Sequence, residues 1–151
     1  MGEVVRVTEF SEPLIEELTQ IEAEAFGDGG LNRWTFPVLI RHGAVYVLKC
    51  DGKICGIADI IKDWVDPGLA FLVNFVIRKG ERNKGLGTIF LEKLIAILKD
   101  DGIKRLQLTV DPANKQAVRV YKKLGFKLIT ELSDEYGPGV DRFLYELELE
   151  E

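Results

Sequence analysis

Phe71-Leu72-Val73-Asn74-Phe75-Val76-Ile77, followed by Arg78-Lys79-Gly80-Glu81-Arg82-Asn83-Lys84-Gly85-Leu86-Gly87-Thr88, is the stretch that decides the fold. Residues 70–77 are nearly all apolar, as expected of a strand buried on both faces. A long amphipathic helix opens near Gly85 and runs to about Asp101, with Leu86, Phe90, Leu94, Ile97 and Leu98 on its inner face and Gly102 as its stop. The junction between strand and helix carries Arg78, Lys79, Arg82 and Lys84 against Glu81, a local charge of +3 on a chain whose total is −5. A basic knot on an acidic protein suits a small polyanion. The first turn of a helix has amide N–H groups without internal partners, at the positive end of the macrodipole. Gly85 and Gly87 lack a Cβ, so the backbone can approach a phosphate closely and take unusual torsions. Arg82 and Lys84 neutralise charge from the side, and the arrangement suits a pyrophosphate. A P-loop is excluded, because no Gly-Lys-Ser/Thr follows at the required spacing. The dinucleotide fingerprint fails too, since the third residue after Gly87 is Phe90.

Working outward, residues 4–10 alternate and read as a strand. Ser11 caps a helix with Pro13 in its first turn, and Leu14, Leu18, Ile21 and Ala25 share one face. Gly27-Asp28-Gly29-Gly30 breaks it, and a short helix follows over 34–41. Residues 44–50 and 54–61 form a hairpin around Asp51-Gly52. In that register Cys50 faces Lys53 and Cys55 faces Leu48, so the two cysteines are not disulfide partners. Beyond the long helix come a strand at 106–110, a helix capped by Asn114 with Ala117, Val120, Tyr121 and Leu124 inward, and closing strands at 126–132 and 142–149. The order β-α-α-β-β-β-α-β-α-β-β predicts an α+β domain over residues 1–151. Its mixed, mainly antiparallel sheet has about seven strands, with about four helices on both faces.

The chain has 151 residues, of which 46% are hydrophobic and 30% charged, an ordinary globular composition. No apolar run is long enough for a membrane span, and Glu3 stands where a secretory leader would be basic or apolar, so the reading is a cytoplasmic protein without membrane contact. The acidic balance argues against nucleic acid. One histidine, His42, and two cysteines are too few ligands for a zinc site, and no metal is expected.

The 71–77 strand, the Arg82–Thr88 loop and the block 109–126 together resemble the GNAT superfamily of N-acetyltransferases. The loop resembles its R/Q-x-x-G-x-G/A coenzyme motif. Asn114, Ala117, Tyr121, Gly125 and Phe126 resemble its N-x-x-A-x-x-x-Y-x-x-x-G-F signature. Within the superfamily, residues 21–26 and the Glu135–Gly139 loop are similar to the ribosomal-protein alanine N-acetyltransferase branch.

The resemblance implies acetyl-CoA as cosubstrate and a primary amine, on a peptide N-terminus or a small molecule, as acceptor. It implies a sheet splayed in the middle, where the pantetheine arm bonds to the main chain of Phe75, Val76 and Ile77. It places the pyrophosphate on the amides of Asn83, Lys84, Gly85, Leu86, Gly87 and Thr88, with Arg82 beside it and Asn114 near the pantetheine. A main-chain N–H of 75–77 serves the developing oxyanion. Tyr121 matches the acid that protonates the leaving thiolate, as the ordinary pKa values of a phenol and a thiol, about 10 and 8.5, are close. The branch's basic glutamate is replaced by Thr109, and the position near Phe71 is not acidic either. Asp111, Glu135, Tyr136 and His42 remain unranked candidates. Phe26–Trp34 and Glu135–Gly139 are the expected walls of the acceptor site, the second resembling a mobile lid. Glu131, Asp134, Glu135 and Asp141 are expected to attract an ammonium group. The alternative reading is a non-catalytic acetyl-CoA-binding module, and monomer or homodimer are both open.

Overall fold

Ser11 starts the first helix as its sequence requires: its Oγ accepts the Leu14 N–H at 3.4 Å, and Pro13 sits in the first turn where no N–H is needed. The computed structural model describes residues 2–82 and 84–149. Among them the order is β1 (Gly2–Arg6), α1 (Glu12–Phe26), α2 (Thr35–His42), β2 (Ala44–Cys50), β3 (Lys53–Lys62), β4 (Leu69–Ile77), α3 (Leu86–Asp100), β5 (Arg105–Val110), α4 (Lys115–Lys123), β6 (Lys127–Leu132) and β7 (Arg142–Glu148). The expected order of elements is therefore present. The first strand is displaced, ending at Arg6 rather than Phe10, because its partner β2 pairs with it only from Gly2↔Cys50 to Arg6↔Tyr46.

The seven strands lie in the order β1-β2-β3-β4-β5-β7-β6. β1/β2, β2/β3, β5/β7 and β6/β7 are antiparallel. β4/β5 is parallel. This is the mixed, mainly antiparallel sheet that the sequence predicts. The parallel register runs from Leu69↔Arg105 to Leu72↔Leu108, while β4 itself continues to Ile77. A ladder that stops there matches the expected splay.

The hairpin turn has φ of 53° at Asp51 and 79° at Gly52, the two positive values of a type I′ turn. Its register corrects the sequence reading. Cys50 faces Lys53, but Leu48 faces Gly56 and Lys49 faces Ile54, so Cys55 is the extra residue of a β-bulge. Both cysteines are free thiols. Burial, and then Cys50 beside it, push the Cys55 thiol up to about 12.

The chain divides into two compact units, residues 1–61 with 73–94, and 62–72 with 95–151. In the first, Val45, Val47, Ile57 and Val76 face Ile15, Leu18 and Ile21 of α1 and Phe36, Leu39 and Ile40 of α2. Ile15 replaces Leu14 at the centre of the α1 face; Leu14 and Ala25 are only partly buried against it. On the opposite face Gly56 sits 3.1 Å, measured from an added Cβ, from the Phe90 ring of α3. Helices thus cover both faces of this part of the sheet. Along α3, Leu91 is buried with Leu86, Phe90, Leu94 and Leu98, where the sequence pattern favoured Ile97.

In the second unit Leu106, Leu108, Tyr145 and Phe126 are buried, and Arg105 ties β5 to Glu146 of β7 at 2.9 Å and to Asp66 ahead of β4. β6 forms the edge, with Leu128 and Ile129 exposed and its ladder interrupted between Leu128 and Thr130. Such an irregularity discourages edge-to-edge pairing.

Candidate active site

In the first unit β4 delivers the chain to the basic loop. Gly85 has φ +74°, a conformation that L side chains avoid, and an added Cβ there would meet nothing within 4 Å. Gly85 is required by its torsion, not by crowding. Its carbonyl accepts the Ile89 N–H at 3.2 Å, so α3 begins here and the amides ahead of Ile89 have no partner within the helix. Gly87 differs: its φ is ordinary, and an added Cβ would sit 3.8 Å from Ile77 and 3.9 Å from Phe75, normal contact distances. The G/A alternative at the third place of the coenzyme motif has this physical basis.

The basic residues do not act as one knot. Arg78 is turned away to Glu17 at 3.3 Å and the Ile54 carbonyl at 3.4 Å, and Lys84 pairs with Glu81 at 3.2 Å. Arg82 is anchored by its Nε to the Ile77 carbonyl at 3.1 Å, and among the described residues its two terminal guanidinium nitrogens have no partner, which leaves them for a ligand. Asn83 lies outside the described residues. Leu86 is buried, Thr88 is half-buried, and Phe75 packs on Phe90 with ring centroids 5.2 Å apart. Val76 is buried toward α1, and Ile77 is half-buried at the strand's end. A glycine turn open at its Cβ position, a helix start and a free guanidinium edge fit a diphosphate.

In the second unit Asn114 caps α4, its Oδ1 accepting the Ala117 N–H at 3.2 Å, and its amide nitrogen has no partner among the described residues. Tyr121 is 8% exposed, with its ring 5.6 Å from that of Phe126. Burial pushes its phenol up to about 12, away from the ordinary value that would match it to a thiol. Thr109 Oγ1 and the Tyr136 hydroxyl lie 3.3 Å apart, so the residue in the place of the branch's glutamate neighbours one of the candidates for the proton path.

Asp111 is committed to its own turn through the Ala113 N–H. Asp134 accepts the Gly139 N–H at 2.6 Å, and Asp141 accepts the Asp134 N–H at 2.9 Å. These two carboxylates brace the 134–141 loop through one oxygen each. His42 is an exposed residue at the end of α2, and Trp34 is 78% exposed.

Sequence reasoning missed a polar cluster in the first unit. Glu22 of α1 and Asp59 of β3 are both fully buried. Glu22 Oε1 accepts the Leu31 N–H at 3.1 Å and Asn74 Nδ2 at 3.0 Å. Glu22 Oε2 and both Asp59 oxygens have no N–H or O–H partner among the described residues, unless one carboxyl carries a proton for the other. Burial, followed by the charge of Glu22, holds the Asp59 carboxyl well above the usual carboxylate range. Burial raises Glu22 as well, against the two N–H groups that favour its charge. Of the two carboxyls, Asp59 is the one pushed further toward its neutral form. The signal was present: Glu22 falls four residues after Leu18 on an apolar face, and Asp59 interrupts an otherwise apolar strand.

Among the described residues no three of His, Cys, Asp and Glu gather into a metal-binding group, and no helix is long and apolar enough to cross a membrane.

The family described as Acetyltransferase (GNAT) matches residues 10–126, and the chain belongs to it: it is an acetyl-CoA-using acyltransferase. It is 28% identical over 113 residues to an N-alpha-acetyltransferase of Sulfurisphaera tokodaii, covering 68% of each chain. It is 30% identical over 76 residues to an aminoglycoside N(6')-acetyltransferase type 1 of Klebsiella pneumoniae, covering 50% of this chain and 38% of that one. Its fold is that of the ribosomal-protein-S18-alanine N-acetyltransferase of Escherichia coli, with a TM-score of 0.81 over 100% of this chain and 96% of that chain at 23% identity.

Proposed function

We propose that this protein acetylates a primary amine, in the first place the α-amine of a peptide. The observation that carries the reading is the Gly85 turn at the start of α3, with Arg82 held beside it and its terminal nitrogens without a partner among the described residues. The Sulfurisphaera tokodaii relative, matched over two thirds of each chain, favours the α-amine; the aminoglycoside enzyme, matched over a smaller share, makes a small amine the outcome to test against.

Acetyl-CoA supplies an acetyl thioester, a carbonyl carbon open to attack by a neutral amine. In this reading the amides of 83–88 and Arg82 hold the diphosphate, the main chain of Phe75, Val76 and Ile77 aligns the pantetheine arm, and Asn114 offers its free amide nitrogen. Overall the C–S bond breaks and a C–N bond forms; the amine gives up one proton to solvent and the coenzyme sulfur gains one. Tyr121 is the group proposed to lend that proton. With its phenol near 12 and a thiol near 8.5, full transfer is uphill by about 5 kcal/mol, so Tyr121 serves best by hydrogen-bonding the developing thiolate.

The residue at 109 gives a specific observation in favour of the non-catalytic alternative: Thr109 brings no carboxylate, only a hydroxyl shared with Tyr136. Thiol release from acetyl-CoA, measured with a peptide bearing a free N-terminal alanine, a polyamine and an aminoglycoside, separates the readings. Acetylated peptide by mass is the expected product. Tight acetyl-CoA binding with no release for any amine would establish the module instead.

A further inference from the structure

Glu22 Oε1 takes two N–H donors at once, from Leu31 and from Asn74, so it is an acceptor and nothing else. That settles the orientation of the Asn74 carboxamide: its NH2 points to Glu22 and its carbonyl oxygen points away. Among the described residues no group donates to Asn74 Oδ1, and the residue is only half-buried. Asn74 immediately precedes Phe75, the first of the main-chain positions assigned to the coenzyme arm. Its side chain shares the strand face of Val76, toward α1, while Phe75 turns to Phe90 of α3.

We infer that Asn74 Oδ1 receives an N–H of the acceptor amine, and that Glu22 is the positioning residue that turns it there. The inference rests on the amine-acetyltransferase reading above. An attacking amine must be neutral and must aim its lone pair at the carbonyl carbon; an oxygen that accepts one of its N–H bonds sets that aim. A carboxamide does this without favouring the ammonium form, which a carboxylate in the same place would stabilise. Asp59 is buried against the same carboxylate, and burial together with the charge of Glu22 drives it toward its neutral form, so a second buried charge beside Glu22 is disfavoured. The same Glu22 oxygen also holds Leu31, and Gly30 lies against the Glu22 carbonyl so closely that an added Cβ would stand 2.9 Å from it. The loop expected to wall the acceptor and the oxygen that orients it are therefore fixed by one atom.

The test uses the full chain, a peptide with a free N-terminal alanine, and acetyl-CoA affinity measured separately by calorimetry. Asn74→Ala is expected to raise the peptide KM about tenfold and leave acetyl-CoA affinity unchanged. Glu22→Ala should do the same, and Glu22→Gln, which can still offer an oxygen to both donors, should restore the peptide KM to within about twofold. If Glu22→Ala fails to fold, Asn74→Ala and Glu22→Gln decide the matter between them. A normal peptide KM in Asn74→Ala, or an equal loss of acetyl-CoA affinity, overturns the inference. Wild-type protein that binds acetyl-CoA and turns over neither the peptide, a polyamine nor an aminoglycoside overturns the functional reading, and this one with it.

Discussion

The Tyr136 hydroxyl stands 3.3 Å from Thr109 Oγ1, at the position where the alanine-acetyltransferase branch resembled by this chain has a glutamate. The pair brings two hydroxyls and no carboxylate to this position. In the proposed reading, solvent takes the acceptor's proton. For a peptide α-amine, with an ordinary pKa of about 7.7–8.0, kcat/KM is expected to rise with pH and level off near pH 8. Thr109→Glu should move the rise about one pH unit lower. A flat profile from pH 6 to 9 in the wild type would point to a base elsewhere.

The two glycines of the coenzyme loop predict opposite outcomes. Gly85→Ala forces a side chain into φ +74° and should cost about 1–2 kcal/mol together with most acetyl-CoA affinity. Gly87→Ala has room for its methyl and should gain about 0.5 kcal/mol with affinity kept. Thermal unfolding with and without acetyl-CoA checks both; similar behaviour of the two variants would refute this division of roles.

Tyr121→Phe keeps the ring on Phe126 and removes only the hydroxyl. Turnover should fall about tenfold or more with acetyl-CoA affinity nearly unchanged. Because the phenol is held near 12, no alkaline fall in wild-type turnover below about pH 10 should trace to Tyr121. An unchanged rate in the variant would remove Tyr121 from the chemistry.

Asp59 makes stability depend on pH with a definite sign. Its folded-state carboxyl is raised, so its contribution is complete below the ordinary value near 4 and is lost as pH climbs toward the folded value. The carboxamide introduced by Asp59→Asn offers an N–H to Glu22 at every pH. The variant should therefore gain on the wild type between pH 5 and 8, by at most about 1.4 kcal/mol per pH unit. Urea unfolding of both proteins across that range measures it, and a constant difference would mean that Asp59 is already ionised.

Much of the fold was readable because each element carries local punctuation. Ser11, Asp51-Gly52, Asn114 and Gly125 act within a few residues of themselves, and the structure uses them as caps and turns. The β3 bulge was not readable, since a one-residue slip depends on what Cys55 and Gly56 meet across the sheet. The same limit hid the partners of Arg78 and Lys84: a count of charges does not say that Glu17, 61 positions away, takes one of them. The Glu22–Asp59–Asn74 cluster joins three elements, and its members looked like ordinary polar residues until the fold enclosed them. Periodicity could flag Glu22 and Asp59 as misplaced charges, but not Asn74, whose importance lies in which way its amide is turned.

The bond from Arg82 Nε to the Ile77 carbonyl has a thermodynamic corollary. A flexible arginine gives up about 2 kcal/mol of rotamer freedom when it is pinned, and here folding has already pinned it. An arriving anion meets a guanidinium set in place and owes little further ordering. Lysine at this position would retain the charge, but its N–H bonds all leave one nitrogen, so the separate planar edge that the guanidinium presents to a ligand while its Nε holds the strand's end is lost, and Arg82→Lys should weaken acetyl-CoA binding rather than act as a conservative exchange.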